Sequence, residues 1–201
     1  MFINWALQEI NLKIVFYGPG MSGKTTNLEF IHSKLDPSLA GELVSLKTKE
    51  DRTIFFDFMQ IEVGRIKGKK PKFNLYTVPG QVYYASSRKV ILNGVHGLVF
   101  VADSLEVRHE KNLLSLKDLA LNLKSYGQNI MEIPLVLQYN KRDLAAEGVP
   151  LMSVEAMEKA YNHQLKVPSF ASSAVTGQNV NATLKECLVR TLRSLKKEAG
   201  W

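Results

Sequence analysis

The sequence predicts an α/β fold built on a mostly parallel sheet, and three observations carry that expectation. A β-branched and aromatic run, Leu12-Lys13-Ile14-Val15-Phe16-Tyr17, leads into a glycine-rich loop, Gly18-Pro19-Gly20-Met21-Ser22-Gly23-Lys24-Thr25. The loop opens a segment in which Leu28, Ile31 and Leu35 fall at helical spacing. Two further apolar runs, Gly97 to Ala102 and Ile133 to Tyr139, read as strands buried on both faces. Between them Leu113, Leu116, Leu119 and Leu123 mark one face of a long helix, the kind of crossover a parallel pair needs.

The glycine loop fits G-x-x-x-x-G-K-[ST], the phosphate-binding P-loop, and has the strand before it and the helix after it that the motif requires. Gly18 and Gly23 let the backbone curl until successive N–H groups point inward at phosphate oxygens. The helix that follows adds its positive end. Pro19, Gly20, Met21, Ser22 and Thr26 belong to the same wrap. Lys24 reaches the β- and γ-phosphates, and the Thr25 hydroxyl is suited to ligate Mg²⁺. The bland alternative is a glycine-rich turn with no ligand.

Length and composition set the bounds. Two hundred and one residues suit a single domain, spanning residues 1–201, with enough chain for a buried core. No apolar run approaches the roughly 20 residues of a spanning helix. The N-terminus has no basic region followed by an apolar one, Phe2 stands where myristoylation needs Gly, and the C-terminal residues form no prenylation box, so no intrinsic membrane anchor is expected. The single Cys187 excludes an intrachain disulfide and suits a reducing, cytoplasmic setting. A net charge of +7 permits an acidic partner, but a generally basic surface explains it as well.

In chain order, Phe2 to Trp5 alternates weakly and is a candidate edge strand. Asp36-Pro37 ends the first helix. Leu43 to Leu46 is apolar but short, and Lys47 to Thr53 is a charged, polar stretch of the kind found in exposed loops. Ile54 to Val63 and Lys72 to Val78 alternate as two strands. The basic run Lys67-Gly68-Lys69-Lys70-Pro71 joins them. It has no interleaved aromatics, which favours a solvated hairpin turn over a nucleic-acid patch. The second strand runs into Pro79-Gly80-Gln81, where the Gly80 N–H is free of any side chain that would block a γ-phosphate. Asp103-Ser104 reads as a helix-cap signal. Ser153 starts a helix carrying Val154, Met157, Ala160 and Tyr161. Ser169 to Ala174 is a short strand and turn, and Val180, Leu184, Leu188, Leu192 and Leu195 stripe a final helix. Cys187 lies on that stripe and reads as core.

Asn140-Lys141-Arg142-Asp143 follows the strand that ends at Tyr139. An Asp carboxylate accepts from both N1–H and the N2 amino group of guanine, whereas adenine leaves it unpaired. The Lys141 stem is long enough to cover the purine face, and Asn140 is placed to tie this loop to the P-loop. Taken alone these residues also suit an Asx turn. After a P-loop, at the carboxyl end of a parallel strand, they stand where ligands of open α/β sheets bind.

The P-loop, Thr53, Pro79-Gly80-Gln81, Asn140 to Asp143 and Ser173-Ala174 occur in the order of the five nucleotide motifs of Ras-like small GTPases, over essentially the whole chain. Tyr17 to Leu28, Asp51 to Phe58 and Tyr76 to Gln81 resemble more narrowly the MglA group of bacterial GTPases, which set cell polarity and motility. The resemblance implies a Ras-like G domain with a six-stranded mixed, mostly parallel sheet, an extra N-terminal edge strand being open, and helices on both faces. It implies GTP and GDP as ligands and Mg²⁺ on Thr25 and Thr53. Gly80, Ser173 and Ala174 join the binding residues, Gln81 orients the attacking water, and Arg52 is an arginine finger supplied in cis. Implied partners are a Roadblock-domain activating protein of the MglB type, an exchange factor and polarity or motility effectors, with concentration at a cell pole through them; no nucleic acid is implied. One departure stands out. The Asp of the usual Asp-x-x-Gly is Thr77 here, and that Asp normally holds a Mg²⁺-bound water. The rival readings are a GTP-bound scaffold that does not hydrolyse, which Thr77 allows, and a P-loop ATPase, which Asn140-Lys141-x-Asp143 disfavours.

Overall fold

The computed structural model describes residues 2–4, 9–39, 41–47, 53–62, 64, 68–80 and 85–198; the side chains of 2–4, 45–47, 53–55, 85 and 198 are not part of that description. The strands are β1 (Phe2–Asn4), β2 (Glu9–Tyr17), β3 (Val44–Lys47), β4 (Thr53–Glu62), β5 (Lys70–Thr77), β6 (Gly97–Asp103), β7 (Leu135–Asn140) and β8 (Ser169–Ala171). The helices are α1 (Lys24–Lys34), α2 (Ala85–Leu92), α3 (His109–Lys124), α4 (Val154–Met157, continued by a π-helical turn over Glu158–Asn162) and α5 (Val180–Glu198).

The eight strands among the described residues form one sheet in the order β3-β4-β5-β2-β6-β7-β8, with β1 paired to β2. The run from β5 to β8 is parallel, and β4 is antiparallel to β5. These six, β4-β5-β2-β6-β7-β8, are the mixed sheet the resemblance implies. The other two were legible only in part. β1 is antiparallel to Glu9–Asn11 of β2, a stretch that β6 leaves uncovered because its pairing starts at Ile14. The N-terminal strand therefore fills a gap inside the sheet and is no outer edge. Among the described strands the outer edges are β8 and β3, the latter from the short Leu43–Leu46 run and pairing antiparallel with β4 across a register shift.

Two apolar layers sandwich the sheet, and the period-two alternation of β2 feeds both. Leu12, Ile14 and Phe16 point to the side of α1 and α5, where Leu28, Ile31, Val180, Leu184 and Cys187 cover them. Val15 and Tyr17 point to the other side, against Ile91 and Leu92 of α2, Leu119 and Leu123 of α3, and Met157 and Tyr161. β6 and β7 are buried at every position, as their uninterrupted apolar runs predict. Each fully buried Leu or Ile contributes about 1.5–3 kcal/mol. Cys187 is fully buried and burial pushes its thiol up to about 12, so it is an inert core residue. Among the described residues no helix is long and apolar enough to cross a membrane.

Candidate functional site

A parallel sheet delivers all its carboxyl ends to one edge, and the loops leaving β2, β5, β6, β7 and β8 converge there. They enclose a cleft of about 920 Å³, a size that suits a nucleotide. Its walls include the P-loop from Gly18 to Thr26 except Ser22, together with Gly80, Asn140, Lys141, Asp143 and Ala174. Ser22 and Ser173 are fully buried behind it. Arg52, the Thr53 side chain and Gln81 lie outside the described residues.

The side of the cleft formed by the loops after β7 and β8 is tied together by its own polar groups. Asn140 is nearly fully buried at the end of β7; its Nδ2 donates to the Ser22 carbonyl at 2.7 Å, and its Oδ1 accepts the Ala174 N–H at 2.8 Å. One amide thus joins the P-loop, β7 and the loop after β8. This close approach needs a glycine: at Gly23, with φ 96°, a Cβ would lie 2.2 Å from Asn140 Nδ2. Lys141 is held in the left-handed region at φ 71°. Asp143 begins beside it, and its Oδ1 is buried with no hydrogen-bond partner among the described residues. A buried carboxylate oxygen left unpaired costs about 1–3 kcal/mol or more, so this one is poised for donors from a ligand. Guanine N1–H and N2–H₂ are such donors.

The phosphate side is organised differently. The Lys24 ammonium donates to the carbonyls of Gly18 (3.0 Å) and Pro19 (2.7 Å) in its own loop. Burial pulls its pKa down to about 7; Asp57 opposes that shift, while Arg88, Arg108 and Lys141 reinforce it. Gly80 packs directly on the P-loop, where a Cβ would come within 2.1 Å of the Gly20 nitrogen. Arg88 on α2 holds the approach to Gly80, donating to the Pro79 carbonyl at 3.3 Å and to Asp118 of α3 at 2.9 Å.

Asp57 is the residue that motif reading missed. It lies on β4, fully buried, and its Oδ2 accepts the hydroxyls of both Thr25 (2.5 Å) and Thr77 (2.6 Å). Its own N–H donates to Thr77 Oγ1 at 2.9 Å. The carboxylate absent from the Thr77-Val78-Pro79-Gly80 motif is thus supplied from the neighbouring strand. A signal did exist: Asp57 shares the inward parity of Met59 and Ile61, and a carboxylate on the buried face of an alternating strand asks for a reason. A Thr hydroxyl beside a carboxylate is a set of hard oxygen donors, which fits Mg²⁺.

Asp103 also departs from expectation. It does not cap α3, which starts at His109 after a 3₁₀ turn over Glu106–Arg108 and has no side-chain cap. Its carboxylate turns back toward the cleft and pairs with Lys141 and Arg108. Ser153, by contrast, does cap α4, accepting the Ala156 N–H at 3.1 Å.

The comparisons with known proteins agree with this geometry. The Ras family model matches residues 13–193. The mutual gliding-motility protein MglA of Myxococcus xanthus (strain DK1622) is 50% identical over 196 residues, covering 98% of each chain. The Ras-related protein SEC4 of Saccharomyces cerevisiae is 28% identical over 171 residues, covering 85% of this chain and 70% of its own. The chain therefore belongs to the Ras family of GTP-binding, GTP-hydrolysing switch proteins, in its MglA-type group.

Proposed function

We propose that this GTPase is a loop-ordering switch for cell polarity and motility, and that the named residues share its work. The observation that carries the site assignment is the buried Asp143 oxygen, without a hydrogen-bond partner among the described residues, in the wall of a P-loop cleft. The motility setting is supported by the 50% identical relative, whose name describes gliding motility.

In this reading the P-loop N–H groups from Gly18 to Thr26 wrap the phosphates, and Lys24 exchanges its two carbonyl partners for the β- and γ-phosphates. Asp143 reads the guanine edge, the Lys141 stem covers the ring, and Ser173 and Ala174 close the base pocket. Thr25 and Thr53 would hold Mg²⁺, with Asp57, which also accepts from Thr77, behind Thr25. When bound, Mg²⁺ neutralises charge on the β- and γ-phosphate oxygens. Arg52 offsets the charge that develops on the γ-phosphoryl group, and Gln81 orients the attacking water. Thr53 and Gly80 contact the γ-phosphate, so hydrolysis releases both loops. A Roadblock-domain activating protein, an exchange factor and motility effectors read those loops, and concentrate an otherwise cytoplasmic protein at a cell pole.

The test is single-turnover GTP hydrolysis with and without a Roadblock-domain protein, for the parent and Arg52→Ala. The partner should accelerate the parent strongly. Arg52→Ala should bind GTP within a few-fold of the parent yet lose on the order of 10³ in the stimulated rate. Equal stimulated rates would remove Arg52 from the mechanism and place the finger on the partner.

A further inference from the structure

Asp103 ends β6 with its side chain fully buried. Its Oδ1 accepts the Leu105 N–H at 3.2 Å, and its backbone is pinned on both sides by Asn112, which accepts from the Asp103 N–H (2.9 Å) and donates to its carbonyl (2.8 Å). The carboxylate is therefore fixed in place. Its Oδ2 accepts from Lys141 Nζ at 2.7 Å and lies 3.4 Å from Arg108 Nε. Arg108 in turn donates from its terminal nitrogen to the carbonyl of Gly20 in the P-loop.

Two cations thus converge on one buried oxygen, and each belongs to a different half of the cleft. Lys141 lines the base side and sits in left-handed backbone, a conformation that costs a non-glycine residue free energy and persists only where its surroundings hold it. Arg108 reaches the phosphate side, and its buried Nε has no hydrogen-bond partner among the described residues, only the ion pair with Asp103. A buried charge with its partner removed is strongly unfavourable. Loss of the Asp103 charge would therefore loosen both cations at once.

We propose that Asp103 is a positioning residue for nucleotide retention: one buried carboxylate holds Lys141 across the base site and, through Arg108, steadies the Gly20 corner of the P-loop. Base contacts and phosphate contacts are then gained and lost together. The proposal rests on the assignment of the cleft as the guanine-nucleotide site.

The experiment is a double-mutant cycle on the full chain, read as the dissociation rate of a fluorescent GDP analogue in Mg²⁺, with thermal unfolding followed in parallel. Asp103→Asn keeps the volume and an acceptor for Leu105 but removes the charge. It should release the analogue ten- to roughly a hundredfold faster, the range for a residue that orients another residue's contacts. Lys141→Met should also speed release. The two together should release it no faster than about twice the faster single variant, because both break one linkage. A residue that merely stabilises the fold would give rates that multiply. Arg108→Gln, which keeps a donor near the Asp103 carboxylate but is too short to reach Gly20, is the second variant should Asp103→Asn fold poorly; it should speed release and likewise fail to multiply with Lys141→Met. If Asp103→Asn and Arg108→Gln both release at the parent's rate, or if the rates multiply, the proposal is overturned while the site assignment stands. If Lys141→Met itself matches the parent, the role of Lys141 at the base falls and this proposal falls with it.

Discussion

The two sides of the cleft differ in what their polar groups do without a ligand. On the side formed by the loops after β7 and β8 they brace one another: Asn140 spans the P-loop and the loop after β8, while the Asp143 Oδ1 has no hydrogen-bond partner among the described residues. On the P-loop side the protein's own atoms mostly stand in for ligand, although the buried Ser22 Oγ and Arg108 Nε have no hydrogen-bond partner among the described residues. Lys24 is satisfied by Gly18 and Pro19, Thr25 by Asp57, and Gly80 rests on Gly20. A prebuilt half gives specificity at little reorganisation cost. A self-satisfied half has internal partners to give up before a ligand can bind it.

The largest expected effect tests the self-satisfied half. Lys24→Ala removes the ammonium that donates to the Gly18 and Pro19 carbonyls and should abolish submicromolar GDP binding, with the circular dichroism spectrum unchanged because, among the described residues, Lys24 hydrogen-bonds only within its own loop. Tight GDP binding by this variant would mean that the internal carbonyl contacts are the purpose of Lys24.

Asp143→Asn tests the prebuilt half. An amide N–H₂ would then face donors that need an acceptor, and GTP affinity should fall by about 2–5 kcal/mol. Xanthine nucleotides, which present an acceptor at C2, should gain. Titration calorimetry with both nucleotides decides it, and unchanged GTP affinity would show that the unpartnered oxygen is not the base reader.

Asp57→Asn sharpens the contrast, because it should affect the phosphate side alone. The Mg²⁺ concentration needed to slow GDP release should rise about 10- to 100-fold, with the preference for guanine over xanthine intact. Returning a carboxylate from the other strand, as Asp57→Asn with Thr77→Asp, should recover part of the loss. An unchanged Mg²⁺ requirement in Asp57→Asn would leave the carboxylate a purely structural group.

The smallest effect lies at the opposite end of the sheet and checks that the contrast is confined to the cleft. His96 accepts the Lys13 N–H through Nδ1 at 2.9 Å, and burial, aided by the Lys13 charge, lowers its pKa from 6.5 to about 4. The unfolded chain takes up this proton below pH 6.5 and the folded chain does not until near pH 4. Stability from this residue is therefore complete above pH 6.5 and lost as the pH falls toward 4, by roughly 1–2 kcal/mol after allowance for partial exposure. Denaturant unfolding at pH 7 and 4.5 should show that slope flattened in His96→Gln. A slope unchanged by the substitution would place the titration elsewhere.

Much of this molecule was determined by sequence alone. The strand–loop–helix around Lys24, the buried β6 and β7, and the order of the nucleotide motifs are local: periodicity, glycine placement and motif spacing are properties of contiguous residues, and they specify the family and the loops that line the cleft. What only the tertiary structure decided are contacts between residues far apart in the chain. The interior place of β1 follows from where β6 begins to pair. Asp57 serves Thr25 and Thr77 because β4 lies against β5 and across from α1, a relation no window of sequence contains. Asp103, which reads locally as a helix cap, became a junction of Lys141 and Arg108 because the loop after β6 meets the loop after β7 and, through Arg108, the P-loop, where a buried charge takes whichever partners the fold brings within reach.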